Sequence, residues 1–272
     1  MPRADPRALD AHAGFPSRGG GRTAIAARAA FAKLVWLRSG ERRLPGLAAL
    51  DRALAGLAPR ELEWLCELAP LGPLYLLPTR AWVSALAREV RALGAKRVLE
   101  VAAGDGFLSR ALAAAAPDLD VVASDSHAWA DPRARMSPAE RRAHHGAHVP
   151  GIRAGANVLR LEARAAIRRV KPDVVLAAWL PPGPLLDRII AAPARFVLEI
   201  GAAGGVTSGA WSWRWAHDFP GGPVESLARC RLDARPARDL HSRVTLYFGA
   251  LHPEHAKERV RPGDWLWQFR PR

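Results

Sequence analysis

The stretch that most constrains this chain runs from Val98 to Arg110, VLEVAAGDGFLSR. It opens as a short apolar strand, Arg97–Val101, and turns through Ala102, Ala103, Gly104, Asp105 and Gly106. A helical pattern follows from Leu108 to Ala116, and Pro117 ends it. A strand that enters a helix through so many small residues points to an open α/β sheet. Ligands of such sheets sit at the carboxyl ends of the strands, beside the point where strand order reverses. Small residues serve there because a Cβ would block close approach to the backbone or forbid a positive φ. Spacing then separates the cofactors. A dinucleotide fingerprint needs the frame G-x-G-x-x-G. Aligned on Ala102 and Gly104, its third glycine falls on Phe107, whose ring would spoil close packing of helix on strand. The frame G-x-G-x-G fits, with Ala102 in its first place.

The surrounding sequence alternates in the same way. Asp120–Ser124, Val158–Leu161, Asp173–Trp179 and Arg195–Ile200 read as strands, and Ala163–Val170 and Leu185–Ile190 as helices. Such alternation implies a mainly parallel sheet covered on both faces. Ser226–Leu232 and Arg243–Phe248 read as two more strands, and their connection of about ten residues favours an antiparallel pair. The expected class is therefore α/β: a doubly wound, mainly parallel seven-stranded sheet with a final antiparallel strand pair, plus an N-terminal helical cap. Residues 1–21, rich in Pro, Gly and Arg, are expected to be a flexible tail. Residues 22–92 are expected to form a helical cap or oligomerisation segment. Its apolar stripes include Leu34 and Leu37, then Leu47, Leu50, Leu54 and Leu57, then a segment begun by Pro59. Thr79 is the expected N-cap of a last helix closed by Leu93 and Gly94. Residues 93–272 form the expected cofactor-binding domain.

Glu100–Gly106 resembles motif I of the class I S-adenosylmethionine-dependent methyltransferases, acidic-x-G-x-G-x-G. The resemblance covers about residues 78–251 and implies S-adenosylmethionine as cofactor, with S-adenosylhomocysteine as product. It implies that Gly104 and Gly106 lie against the methionine part and the ribose, with Ala102 in the first small place. It implies that Glu100 organises the turn by hydrogen bonding. Asp125, with Ser126 beside it, stands where the family's acidic residue accepts from both ribose hydroxyls, as a carboxylate can. Glu162 and Ala163 stand near the family's adenine-amine position. Asp173–Gly183 occupies the place of motif IV, where acceptor meets cofactor. Within it, Leu180, Pro181, Pro182 and Gly183 are similar to the Asn/Asp-Pro-Pro-aromatic loop of nitrogen methyltransferases. Leu180 cannot accept a hydrogen bond and Gly183 cannot stack, which leaves Trp179 as the residue able to stack on a ligand.

Methyl transfer asks the protein to position an acceptor and, where needed, to remove its proton. His127, two residues after Asp125, is the candidate base, and the alternative is a surface-loop histidine. Trp179 is the second catalytic candidate. Pro181, Pro182 and Trp211 are the candidate substrate-facing residues. Trp211, Trp213 and Trp215 form either an aromatic wall or the packing of a connecting element. His144, His145 and His148 lack the carboxylate and cysteine partners of a known metal set, so no metal is expected. His217 and Asp218 are adjacent, and adjacent side chains on a helix diverge.

The formal charge of +14 suggests a polyanionic partner such as RNA. Yet Lys supplies only four of the 40 basic residues, and the arginines are spread along the chain, a pattern that GC-rich codon usage also produces. A small-molecule acceptor is the leading expectation. RNA or protein methylation is the alternative, and a non-catalytic cofactor-binding scaffold a second one. No apolar run suits a membrane span and no leader is evident, so a cytoplasmic protein is expected. The N-terminal helices are expected to cap the site or to pair in a homodimer. Cys66 and Cys230 have no metal-ligand spacing and read as ordinary thiols.

Overall fold

Strand residues alternate between two buried faces in a computed structural model, which describes residues 22–37, 39–57, 74–131, 134, 136–138, 151–202, 207–218 and 242–256. Helices α1 (Arg22–Val35), α2 (Leu47–Ala55) and α3 (Arg80–Ala92) come first. Then follow β1 (Arg97–Val101), α4 (Phe107–Ala115), β2 (Asp120–Asp125), β3 (Val158–Arg160), α5 (Ala163–Val170), β4 (Val174–Ala178), α6 (Leu185–Ile190) and β5 (Phe196–Ala202). A 3-10 helix, Ala210–Arg214, precedes β6 (His217–Asp218) and β7 (Ser242–Phe248).

The seven strands run in the order β3-β2-β1-β4-β5-β7-β6. The first five pair in parallel. β7 is antiparallel both to β5 and to β6. The antiparallel ending is therefore present, with the short β6 as the edge partner. Ser226–Leu232, read as a strand from the sequence, lies outside the described residues. His217 and Asp218 are strand residues and not helical ones.

Period two separates the faces. Val98, Val174, Leu176, Leu198 and Ile200 point to one side, against Trp82, Leu86 and Val90 of α3 and Leu108 and Leu112 of α4. Leu99, Val101, Val175, Ala177 and Val197 point to the other, against Ile167 of α5 and Leu186, Ile189 and Ile190 of α6. A slip of β1 by one residue would exchange these sets, so burial on both sides specifies its register. Each fully buried Val, Leu or Ile contributes roughly 1.5–3 kcal/mol.

Helix α3 thus belongs to the layer on the sheet, although the sequence grouped it with the preceding helices. Thr79 caps it, its Oγ1 accepting from the backbone N–H of Trp82 at 3.2 Å. Helices α1 and α2 make a smaller cluster of their own, with Phe31, Val35, Leu50, Leu74 and Leu77 at its centre. Arg80 fastens this cap to α3: its backbone N–H donates to Pro45 O at 3.0 Å and its Nη1 to Leu44 O at 2.9 Å.

Strand order reverses between β1 and β4, so the crevice between their carboxyl ends is the topological switch point. Among the described residues no helix is long and apolar enough to cross a membrane. The expected tail 1–21, the helix expected after Pro59, His144, His145, His148, Cys66 and Cys230 lie outside the described residues.

Candidate functional site at the carboxyl edge of the sheet

The chain leaves β1 in left-handed backbone, with φ of +52° at Ala102, +56° at Gly104 and +66° at Gly106. Two more non-glycine residues adopt such φ at neighbouring strand ends: His127 (+60°) past β2 and Trp179 (+53°) past β4. A left-handed residue with a Cβ costs roughly 1–2 kcal/mol. Such strain persists only where the surroundings over-determine it, and it concentrates at ligand sites. Since β2, β1 and β4 are adjacent, Ala102, His127 and Trp179 stand side by side at the switch point.

Asp125 ties two of these bends together. Its Oδ2 accepts from the Gly104 N–H at 3.0 Å and its Oδ1 from the His127 N–H at 2.6 Å. A carboxylate offers about four acceptor sites, so both oxygens can still take a hydroxyl. Ser126 is half-buried, and its Oγ accepts from the Ala128 N–H at 3.3 Å. The ring of His127 is half-buried, and its Nε2 is buried with no hydrogen-bond partner among the described residues.

Glu100 works from beneath the turn. It is buried, and one oxygen accepts from the Ser109 N–H at 2.9 Å and from the Ser109 hydroxyl. The last part of β1 is thereby bonded to the first turn of α4. Burial pushes its carboxyl up to about 7, against the opposing pull of the Ser109 hydrogen bonds.

The small residues of the turn have a second cause that the sequence did not disclose. A Cβ on Gly106 would lie 2.6 Å from Val158 Cγ2, and one on Gly104 would lie 3.0 Å from Ile152 Cγ2. Packing against the segment that leads into β3, together with positive φ, already accounts for both glycines. Close approach of a ligand is not needed to explain them.

Glu162 stands exposed at the N-cap of α5 without a side-chain capping bond, and Ala163 is buried behind it. Leu161 N–H donates to Asp125 O at 3.0 Å, which keeps this bend beside the end of β2. Across the switch point, Trp179 is half-buried and its N–H donates to Ile200 O at 2.7 Å. Pro181 is half-buried and Pro182 exposed. The loop after β5 holds them: Ser208 N–H donates to Leu180 O and Gly183 N–H to Ser208 O, both at 3.2 Å. Ser208 in turn donates its hydroxyl to buried Glu199 at 2.7 Å. Trp211 lies in the 3-10 helix that follows. Trp215 donates its Nε1–H to Asp187 at 2.6 Å, which anchors that helix on α6 and favours packing over a wall for this tryptophan.

Arg42 was not singled out by the sequence. It comes from the cap, and its guanidinium lies over the Phe107 ring, 4.2 Å from the centroid. An arginine between two helices carries no local signal of such a role. Glu199 and Ser208 were missed for the same reason. A cavity of about 600 Å³ opens elsewhere, at the amino ends of β4 and β5, lined by Lys171, Asp173 and Arg195 among others. It does not touch the turn. Among the described residues no group of three or more His, Cys, Asp or Glu is placed to hold a metal.

No protein-family model matches the chain, and no curated protein matches it. Solved structures do. The S-adenosylmethionine-dependent methyltransferase SibL, in its apo form, is 17% identical with a TM-score of 0.34, over 85% of this chain and 71% of that one. The N-terminal domain of EvdMO1, solved with SAH bound, is 17% identical with a TM-score of 0.32, over 61% of this chain and 81% of that one. The bifunctional kinase-methyltransferase WbdD is 16% identical with a TM-score of 0.31, over 62% of this chain, which spans only 38% of WbdD. Identities and scores of this size carry no information on cofactor or substrate. Strand order and the antiparallel β7 decide the architecture. The fold is an open α/β sheet, mainly parallel, with a final antiparallel strand pair. In that sheet, the ends of β1, β2 and β4 are where the strained residues and Asp125 gather.

Proposed function

We propose that this chain is a methyltransferase that binds S-adenosylmethionine along the carboxyl ends of β2, β1 and β4 and methylates a small molecule. One observation carries the reading: Asp125 joins the glycine turn to the His127 bend at the switch point, with left-handed residues on all three strand ends. The donor set suits the cofactor. Asp125 retains acceptor capacity for two ribose hydroxyls, and Glu162 and Ala163 stand on the side expected for the adenine. Trp179, Pro181 and Pro182 flank the acceptor side.

When bound, the cofactor supplies a methyl group activated by its sulfonium. The chain then has to align an acceptor in line with that group and, for a hydroxyl, take its proton. The buried Nε2 of His127 is the candidate for that proton. Arg42 of the cap lies over Phe107 and faces Asp105 of the turn, so the cap reaches this edge of the sheet.

Calorimetric titration of the full chain with S-adenosylmethionine and S-adenosylhomocysteine tests the reading. Binding of both, weakened about 10-fold or more in Asp125→Ala, supports it. No binding by the wild type would sink it, and unchanged affinity in the variant would remove the ribose role alone. A labelled-methyl screen of phenols, amines, carboxylates and RNA then identifies the acceptor class.

A further inference from the structure

Arginines spread along the sequence gather in space on α5. Ala163, Ala166 and Ile167 form its buried face. Arg164, Arg168, Arg169 and, at the left-handed C-cap, Lys171 are exposed. Arg164 and Arg168 are four residues apart and Arg168 and Lys171 three apart, spacings that set like charges beside one another on a helix. Neither Arg164 nor Arg168 has an acidic residue three or four places away. The helix dipole favours the cations at the carboxyl end but disfavours Arg164, which lies in the first turn. Other exposed arginines are paired, Arg91 with Asp118 and Arg97 with Asp120. The side chains of Arg164, Arg168, Arg169 and Lys171 make no hydrogen bond or ion pair with any described residue.

The carboxyl end of α5 opens into the cavity of about 600 Å³ at the amino ends of β4 and β5. Arg168, Lys171 and Arg195 line it together with Pro172, Pro193 and Leu251. The Arg195 guanidinium is held 5.1 Å from the centroid of the Phe196 ring. Leu251 is 64% exposed, more than any other large apolar residue among those described. Asp173 also lines the cavity, but its Oδ2 already accepts from the backbone N–H groups of Lys96 and Arg97 at 2.8 and 2.9 Å. Three cations against one backbone-bonded carboxylate leave the cavity positive. Its volume suits a small ligand group, and the prolines and leucine offer apolar surface to a planar ring. Guanidinium forks match phosphate oxygens, and single strands are held by a cationic track beside surfaces on which bases rest. A flat lipid surface would not use the cavity, and a duplex would keep its bases out of it. We propose that the solvent face of α5 and the cavity at its end bind single-stranded nucleic acid, the arginines taking successive phosphates and the cavity one unstacked base. The cavity does not touch the glycine turn, so this surface stands independently of the cofactor reading.

Fluorescence anisotropy on the full chain, with a labelled RNA oligomer and the DNA oligomer of the same sequence, tests this. Arg164→Gln/Arg168→Gln is expected to weaken binding by about 10-fold or more and to lower the slope of log affinity against log salt by about 1.4. Arg88→Gln/Arg91→Gln removes the same charge from α3, on the opposite face of the sheet, and is expected to stay within about threefold of wild type. Leu251→Glu sets a carboxylate at the cavity and is expected to weaken binding by about 10-fold. All five positions are exposed, and Leu251→Glu carries the comparison by itself if the α5 pair melts early. Binding of either oligomer with this pattern supports the proposal, and the tighter of the two identifies the sugar. Equal weakening by the α3 and α5 pairs overturns it, because net charge alone then explains binding. Unchanged affinity in Leu251→Glu overturns it too, as does a tighter complex with duplex than with either single strand. Polyglutamate bound as tightly as the oligomers would overturn it in favour of an acidic protein segment. Absence of binding by wild type also overturns it and leaves the cofactor reading untouched.

Discussion

One carboxylate oxygen of Glu100 receives both the backbone N–H and the hydroxyl of Ser109, so that β1 and α4 share a buried acid at their junction. These bonds favour the charged form, but burial outweighs them and raises the group from 4.5 to about 7. Between those two values the folded state holds a proton that the unfolded chain has released. Stability from this group is therefore complete below about pH 4.5 and lost as pH rises through about 7. The shift corresponds to about 3 kcal/mol. Urea unfolding at pH 4.5 and pH 8 should show wild type losing about 3 kcal/mol more than Glu100→Gln over that interval. Parallel losses in the two proteins would remove the buried acid as the cause.

Ala102 holds a backbone conformation that glycine adopts without strain, at φ +52°. It occupies the first small place of the glycine frame, where its Cβ is a backbone cost that packing against the core on the α5 and α6 side of the sheet offsets only in part. Replacing it by glycine relieves about 1–2 kcal/mol of strain and returns part of that as added freedom of the unfolded chain. Ala102→Gly should therefore raise stability by about 1 kcal/mol, read as a higher urea midpoint at unchanged m. A lower midpoint would show that the turn is not held in this conformation in solution.

Local features of this chain were legible before its fold was seen, and features made by docking were not. The bounds of β1, α5 and α6 match their expected ranges because Gly, Pro or a charged residue punctuates each one. Asp125, His127 and Trp179 could be placed because each ends or closely follows a strand with an apolar pattern. β6 could not, since two residues have no periodicity, and it exists only because β7 offers it an edge. Arg42 reaches Asp105 only through the packing of α1 and α2, and Glu199 reaches the Pro-Pro loop only through Ser208. The glycines show a subtler limit. Their smallness was evident, but the neighbours that require it, Ile152 and Val158, arrive from the far end of a long connection.

That last point can be measured. Gly94 and Gly106 have nearly the same φ, +70° and +66°, but a Cβ at Gly94 would meet nothing within 4 Å. Gly94→Ala should cost only the conformational price, about 1 kcal/mol. Gly106→Ala adds an overlap with Val158 and should cost about 2–4 kcal/mol in total. Shortening the obstruction with Val158→Ala should bring the cost of Gly106→Ala down toward that of Gly94→Ala, when each cost is referred to its own parent. Additive effects of the two substitutions would exclude the contact.

His127 joins a strained backbone to a buried ring nitrogen, and the two have to be separated to test its role. Alanine would remove the base and also place a less tolerant residue at φ +60°. Asparagine accepts left-handed backbone readily and cannot serve as a base at neutral pH. His127→Asn should therefore melt close to wild type and bind S-adenosylhomocysteine within about threefold of it, because the Asp125 carboxylate still receives the backbone N–H of residue 127. With an acceptor found by labelled-methyl screening, turnover should fall by about 100-fold or more if the nitrogen takes the acceptor's proton. The loss should be largest for a hydroxyl acceptor near neutral pH and should shrink as rising pH ionises the acceptor itself. A variant with undiminished turnover at neutral pH would leave His127 as a residue of the bend alone. One with undiminished turnover but weakened cofactor binding would assign its ring to holding the ligand.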